Sequence, residues 1–284
     1  MNAVAAPAAV ANKIPGELPE DKFTRQSISA ITQVNDHLFR FRTTRDRAFR
    51  FKPGQFARLG LFRDDTHGQH HGPRFVWRAY SVASADYDEF LEFYSIVVPE
   101  GDFTTALAKL KVGDSLLIEK QAYGFLTLDR FEGGRDLWLL ASGTGVAPFI
   151  SILYDLHAWA QYERLILVHC VRHADELAYQ DTLEAFHTHA YFGEQLARHP
   201  GKLVVVPIVT REQVPGMLGE RIPALLKNGA LEAQAGVRLD PEHSRIMICG
   251  NPQMVDDVRN HLKGAGYAVS RRAQPAHMAV ENYW

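Results

Sequence analysis

The feature that most constrains this chain is a rhythm in its second half. Four apolar runs, "LWLLAS" (137–142), "RLILVHC" (164–170), "LVVVPIVT" (203–210) and "RIMICG" (245–250), are each followed by a stretch of helical character. Strands that are apolar on both faces need cover on both faces, and helical connections supply it, so the pattern predicts a doubly wound parallel sheet. In the first connection Phe149, Ile152, Leu153 and Leu156 fall at i, i+3, i+4 and i+7, which predicts one helix with a single buried stripe. Before residue 131 the rhythm is different. Alternation in "FRFR" (39–42) and "FLEFYSIVV" (90–98), with breakers at "KPGQ" (52–55) and "KVGD" (111–114), predicts an antiparallel β-barrel interrupted by one helix near "TTALAKL" (104–110). The Gly pair of "EGGR" (132–135) marks the change. The expected organisation is a two-domain β plus α/β protein: a loose tail over 1–24, a barrel over 25–131 and a nucleotide-binding α/β domain over 135–284. A chain of 284 residues is long enough for two cores.

A net charge of -2 gives no global pull toward nucleic acid, and no run approaches the roughly 20 apolar residues of a membrane span. The opening "MNAVAAPAAVANKIPGELPEDK" lacks a basic region ahead of its short apolar run, which argues against a secretory signal. Two cysteines, Cys170 and Cys249, are too few for a disulfide framework or a four-thiolate cluster, so a cytoplasmic location is expected. The charge is uneven: from Leu38 to Arg78 there are ten Arg or Lys against three Asp. Such an excess either steers an acidic partner or is a solvated strand face.

Several short stretches carry chemistry. "ASGTGVAP" (141–148) lies beyond the carboxyl end of a strand, where open parallel sheets bind ligands. Gly143 and Gly145 let backbone amides come close to a pyrophosphate, and Pro148 suits a first helical turn; a plain tight turn is the alternative. "ICGNPQM" (248–254) repeats that logic with Gly250 opening the turn, Asn251 as cap and Pro252 as first helical residue, and leaves Cys249 at its strand end facing the crevice. Arg172, Arg211 and Arg221 follow successive strands where an acid would bind a ribose hydroxyl and Arg accommodates a 2'-phosphate. In the first half, strand alternation in "RAYS" puts Arg78 and Tyr80 on one face and Ala79 and Ser81 on the other, unless the strand ends there. "GDFTTALA" (101–108) offers Thr104 as a candidate cap. His67, His70 and His71 in "HGQHHG" lack a pattern that would fix ligands, and no metal site is expected.

In their order and spacing, "RAYS", "EFYSIVVPEGDFTTALA", "SGTGVAP", "CGNPQM" and the terminal "VENYW" resemble the plant-type ferredoxin-NADP reductase family, in particular its bacterial branch. The resemblance covers nearly everything from residue 25 onward. It implies a barrel that binds FAD and an α/β domain that binds NADP(H). It makes Arg78 the partner of the FAD phosphates, Tyr80 a ring on the flavin and Ser81 a neighbour of flavin N5, with Ala79, Tyr94, Asp102, Phe103 and Thr104 around the rest of FAD. Thr144, with Gly143, Gly145 and Gly250, would join the two cofactor sites. Arg172, Thr210, Arg211 and Arg221 would hold the adenosine phosphate of NADP(H), and Cys249 would line the nicotinamide pocket. Glu281 matches the family's C-terminal acid near the flavin, Tyr283 its ring on the second flavin face and Trp284 the extra residue that contacts a bent FAD. Asp102 departs from the pattern by placing a negative charge beside the implied diphosphate. The implied activity is hydride transfer between NADP(H) and FAD and single-electron transfer to an acidic ferredoxin or flavodoxin, by a protein expected to be a monomer. Reductases of free flavin, of ferric siderophores or for an oxygenase share the fold, and a flavin-binding sensor without catalysis is a different class of alternative.

Overall fold

The computed structural model describes residues 22–65 and 72–282. Six strands, β1 (Phe23–Gln33), β2 (Leu38–Thr44), β3 (Phe56–Asp65), β4 (Gly72–Ser81), β5 (Phe90–Ile96) and β6 (Ser115–Glu119), form one antiparallel sheet in the order β4-β3-β6-β1-β2-β5. The sheet curls into a half-barrel. Its two edge strands approach each other, the Ala83 amide just past β4 donates 2.8 Å to the Glu92 carbonyl of β5, and the concave face closes on Phe41, Leu59, Leu91, Phe93 and Leu116. The helix expected near 104–110 is a single turn, α1 (Thr104–Leu107). The strand β1 starts at Phe23, and the tail before residue 22 lies outside the described residues.

The second sheet is parallel throughout, in the order β11-β10-β7-β8-β9, from β7 (Asp136–Ser142), β8 (Arg164–Val171), β9 (Leu203–Val209), β10 (Ser244–Gly250) and β11 (Met278–Asn282). Helices α2 (Ala147–Leu153), α3 (Leu156–Gln161), α4 (Gln180–Ala185), α5 (Ala190–Arg198), α6 (Ile222–Lys227), α7 (Ala230–Ala235) and α8 (Pro252–Gly264) connect the strands. They leave one apolar cluster on each face of the sheet, around Leu139, Phe149 and Leu167 on one side and around Trp138, Ile166 and Val258 on the other. The expected doubly wound sheet is present.

One expectation fails locally. The connection after β7 is two helices rather than one, because the Asp155 side chain accepts a 2.9 Å bond from the His157 amide and caps α3. The break turns Leu156 out of the stripe, and it is 42% exposed.

The order of this sheet places its switch point between β7 and β10, the pair whose outgoing connections wind to opposite sides. Both glycine turns lie there and press on one another. A Cβ on Gly145 would stand 2.5 Å from the Cys249 carbonyl oxygen, and one on Gly250 (φ +135°) would stand 2.6 Å from the Ser142 carbonyl oxygen. The Asn251 amide donates 3.0 Å to Ser142 Oγ across the same contact. Gly145→Ala is therefore expected to destabilise by about 1–3 kcal/mol, roughly 3–10 °C in Tm, through backbone displacement. Gly201→Ala, with open space around its Cβ, should leave the melting curve unchanged.

Candidate active site

Two clefts meet at that switch point. The first, about 670 Å³, runs from the end of β4 to α1 and is lined by Phe56, the four residues of "RAYS", Tyr94, Ile96, Phe103 and Glu281 among others. The second, about 300 Å³, lies over the carboxyl ends of β7 to β10. Thr144 and Ile96 line both, so the clefts share a wall.

In the first cleft all of Arg78, Ala79, Tyr80 and Ser81 line the cavity. Alternation does not separate them, because β4 ends at Ser81 and the cleft wraps around the strand end. Tyr80 is buried, its ring packs 5.6 Å from that of Phe103, and its hydroxyl shares a 2.9 Å hydrogen bond with Ser95 Oγ. Burial pushes its phenol up to about 12. Arg78 is exposed, and its Nη1 donates 2.8 Å to the Trp77 carbonyl. Tyr94 is buried and donates 3.5 Å to the Glu176 carbonyl in the connection after β8.

Thr104 does not cap α1. Its hydroxyl accepts from the Val98 amide at 3.0 Å and fastens the incoming loop instead, because the helix begins at Thr104 itself. Asp102 lies beside Arg63, a residue that sequence reasoning did not select. Arg63 Nη1 donates 2.5 Å to the Asp102 carbonyl and stands 3.6 Å from its carboxylate, so the negative charge in this loop faces a cation.

Glu281 crosses from one sheet to the other. It sits on β11, lines the first cleft, and its Oε1 accepts the amide of Phe125 in the loop after β6. Burial raises its carboxyl above the ordinary range, although the amide bonds oppose that shift. Tyr283 and Trp284 lie outside the described residues; Asn282, the last described residue, lines the first cleft.

In the second cleft the residues chosen from sequence converge: Gly143, Thr144, Arg172, Thr210, Arg211, Arg221 and Gly250. Thr210 and Arg211 donate backbone bonds of 3.0 and 2.9 Å to Val171 and Arg172, which fixes the ends of β8 and β9 side by side. Among the described residues none of the three guanidiniums forms an ion pair. The basic stretch of the first sheet behaves differently. Arg40 is bidentate to Asp181 (2.7 and 3.1 Å), and Arg42, Lys52, Arg58 and Arg63 stand 2.6 to 3.6 Å from Glu92, Asp129, Glu119 and Asp102. Five of the ten cations there stand against carboxylates.

Two residues chosen from sequence lie behind the cleft walls. Cys249 is fully buried and lines neither of these two clefts, and Gly145 packs closely on β10. The reason is strand parity: Cys249 shares a face with Met247 and packs into the core beneath α2, and the Gly145 turn covers its carbonyl. The thiol that reaches a cleft is Cys170, on the opposite face, where burial pushes it up to about 11.

His169 was also missed. It is 2% exposed, and its Nε2 meets the Gly143 carbonyl at 3.0 Å. Its pKa falls to about 4, mainly through burial, with the Gly143 bond and the charge of Glu176 opposing. The unfolded chain takes up this proton near pH 6.5 and the folded chain only near 4, so stability is lost as pH falls through that window and is flat above it. Relative to His169→Gln, the wild type should lose about 2–3 kcal/mol between pH 7 and 4.5 in urea titrations. Parallel pH profiles would contradict this.

Comparison with known proteins gives a consistent picture. An oxidoreductase NAD-binding domain model matches residues 139–260. A ferredoxin–NADP reductase of Pseudomonas aeruginosa is 39% identical over 259 residues, covering 90% of this chain and 95% of that protein. A flavodoxin/ferredoxin–NADP reductase of Escherichia coli is 37% identical over 235 residues, 82% of this chain and 88% of that one. Among solved structures, a ferredoxin NADP+ reductase from Neisseria gonorrhoeae with bound FAD and NADP superposes with a TM-score of 0.81 at 38% identity, covering 93% of this chain and 99% of that one.

Proposed function

The chain belongs to the ferredoxin–NADP reductase family, and from that premise we propose that it passes a hydride between NADP(H) and FAD and single electrons between FAD and a ferredoxin or flavodoxin. The observation that carries the reading is the pair of clefts sharing Thr144 and Ile96 as a wall, with three guanidiniums lacking ion pairs in one and an aromatic, hydroxyl-bearing trough in the other.

The first cleft fits a flavin dinucleotide. Its volume is in the range of cofactor sites, its walls are mostly apolar and aromatic, and Arg78 supplies an exposed cation that donates to the neighbouring Trp77 carbonyl. Arg78 and the Gly101–Thr104 loop would hold the diphosphate, and Tyr80, Ser81 and Phe103 the ring and ribityl end. FAD supplies the chemistry that no side chain here can, accepting two electrons as a hydride and releasing them singly. The protein's work is position and electrostatics. Arg172, Arg211 and Arg221, with Thr210, hold the 2'-phosphate and so select the phosphorylated nucleotide. Thr144 sets the separation of the two rings. Glu281, with Oε1 engaged by the Phe125 amide and its carboxyl raised by burial, stands at the rim where the clefts meet.

The acidic carrier would dock on a smaller patch than the sequence suggests. Arg45 and Arg50 spend their hydrogen bonds on the carbonyls of Asp86, Asp88, Phe49 and Arg47, so the turn after β2 keeps positive charge while Arg40 and Arg42 do not.

In steady-state assays Arg172→Ala/Arg211→Ala is expected to raise the KM for NADPH roughly 10- to 100-fold while leaving that for NADH within about twofold, since each lost charge-assisted bond costs about 1.5–3 kcal/mol. Equal KM values for NADPH before and after substitution would remove the phosphate assignment.

A further inference from the structure

We infer that His169 is a positioning residue for the nicotinamide dinucleotide, acting through the peptide that joins Gly143 to Thr144. The inference rests on the reading of the second cleft as the NADP(H) site.

The sequence around His169 makes its presence costly. Leu165 to Val168 of β8 are aliphatic and fully buried, and His169 follows on the face of Leu165 and Leu167, where another aliphatic side chain would simply extend the core. An imidazole in that place loses its hydration and needs a partner. The partner is the Gly143 carbonyl at 3.0 Å. A carbonyl only accepts, so Nε2 carries the hydrogen and the tautomer is fixed. At neutral pH the ring is uncharged, since its pKa lies near 4, and the bond does not change across the physiological range.

What the bond controls follows from peptide geometry. The peptide is planar and trans, so the Gly143 carbonyl and the Thr144 amide point in opposite directions. A carbonyl held inward against β8 aims the Thr144 N–H away from it, and Thr144 lines both clefts. The short 3-10 coil from Gly143 to Val146 is the other restraint on this orientation, and it begins at a residue with little conformational preference of its own. Gly143 sits at φ +55°, a Cβ there would have nothing within 4 Å, and glycine crosses between backbone regions at little cost. A flipped peptide would present an oxygen to the dinucleotide in place of a donor. His169 disfavours that alternative from beneath the turn without touching the ligand.

The test compares the holoenzyme with His169→Leu and His169→Gln, whose Nε2 can stand where the imidazole Nε2 does. Three quantities are read: the KM for NADPH against kcat, the Kd of NADP+ from the difference spectrum of the bound flavin, and Tm. His169→Leu should raise KM and Kd about tenfold, the scale of one hydrogen bond, with kcat at saturation and the flavin spectrum within about twofold of wild type. His169→Gln should return both constants to within about threefold. Should the Leu variant not fold, His169→Asn replaces it, because its amide is one carbon too short to reach the carbonyl and should show the same split. A Leu or Asn variant that binds as wild type does, or a Gln variant no better than they are, overturns the inference. A wild-type protein that does not bind NADP+ overturns the functional reading beneath it.

Discussion

The contact on which the rest depends is the meeting of two backbone turns at the switch point of the parallel sheet. The turn after β7 and the turn after β10 approach so closely that neither Gly145 nor Gly250 can carry a side chain without moving main chain. The approach is a packing requirement, and it has a consequence for chemistry. It sets Thr144 at the rim common to both clefts and brings Gly250, Asn251 and the end of β7 into one wall. The two clefts then share a wall at Thr144 and Ile96.

The half-barrel and the parallel sheet are held in register by contacts from both. Arg40 of β2 pairs with Asp181 of α4 and lies 4.8 Å over the ring of Tyr179; Ser151 of α2 donates 2.7 Å to the Ser84 carbonyl; Glu281 takes the Phe125 amide. Exposed ion pairs contribute little individually, and Asp181 is exposed, so the buried Ser151–Ser84 bond and the partly buried Glu281 contact matter more than the Arg40 pair. The same electrostatic economy separates structural from ligand-facing cations. Arg40, Arg42 and Arg58 are tied to scaffold carboxylates, whereas among the described residues Arg172, Arg211 and Arg221 converge in the second cleft without an ion pair.

Much of this was legible in the sequence, and the reasons for the exceptions are specific. Continuous apolar runs announce a parallel sheet, and "CGNPQM" announces its helix start: the Asn251 side chain accepts from the Gln253 and Met254 amides as a cap should. The convergence of Arg172, Arg211 and Arg221 follows from where strands end. Face is harder than position. Cys170 and Cys249 each stand at or next to a strand end, and only the three-dimensional parity of β8 and β10 shows which thiol enters a cleft. Pairing across long sequence separations is harder still: the carboxylates that neutralise Arg40 and Arg58 are 141 and 61 positions away, at Asp181 and Glu119. His169 left a signal that went unused, a single imidazole inside an aliphatic strand.

The most direct test of the account is anaerobic stopped-flow absorbance of the purified yellow protein, mixed with NADPH and separately with NADH. Joined clefts with a 2'-phosphate site predict rapid bleaching of the flavin band by NADPH and slow or no bleaching by NADH at equal concentration. A bound flavin that neither nucleotide bleaches, or that both bleach at the same rate, would contradict it.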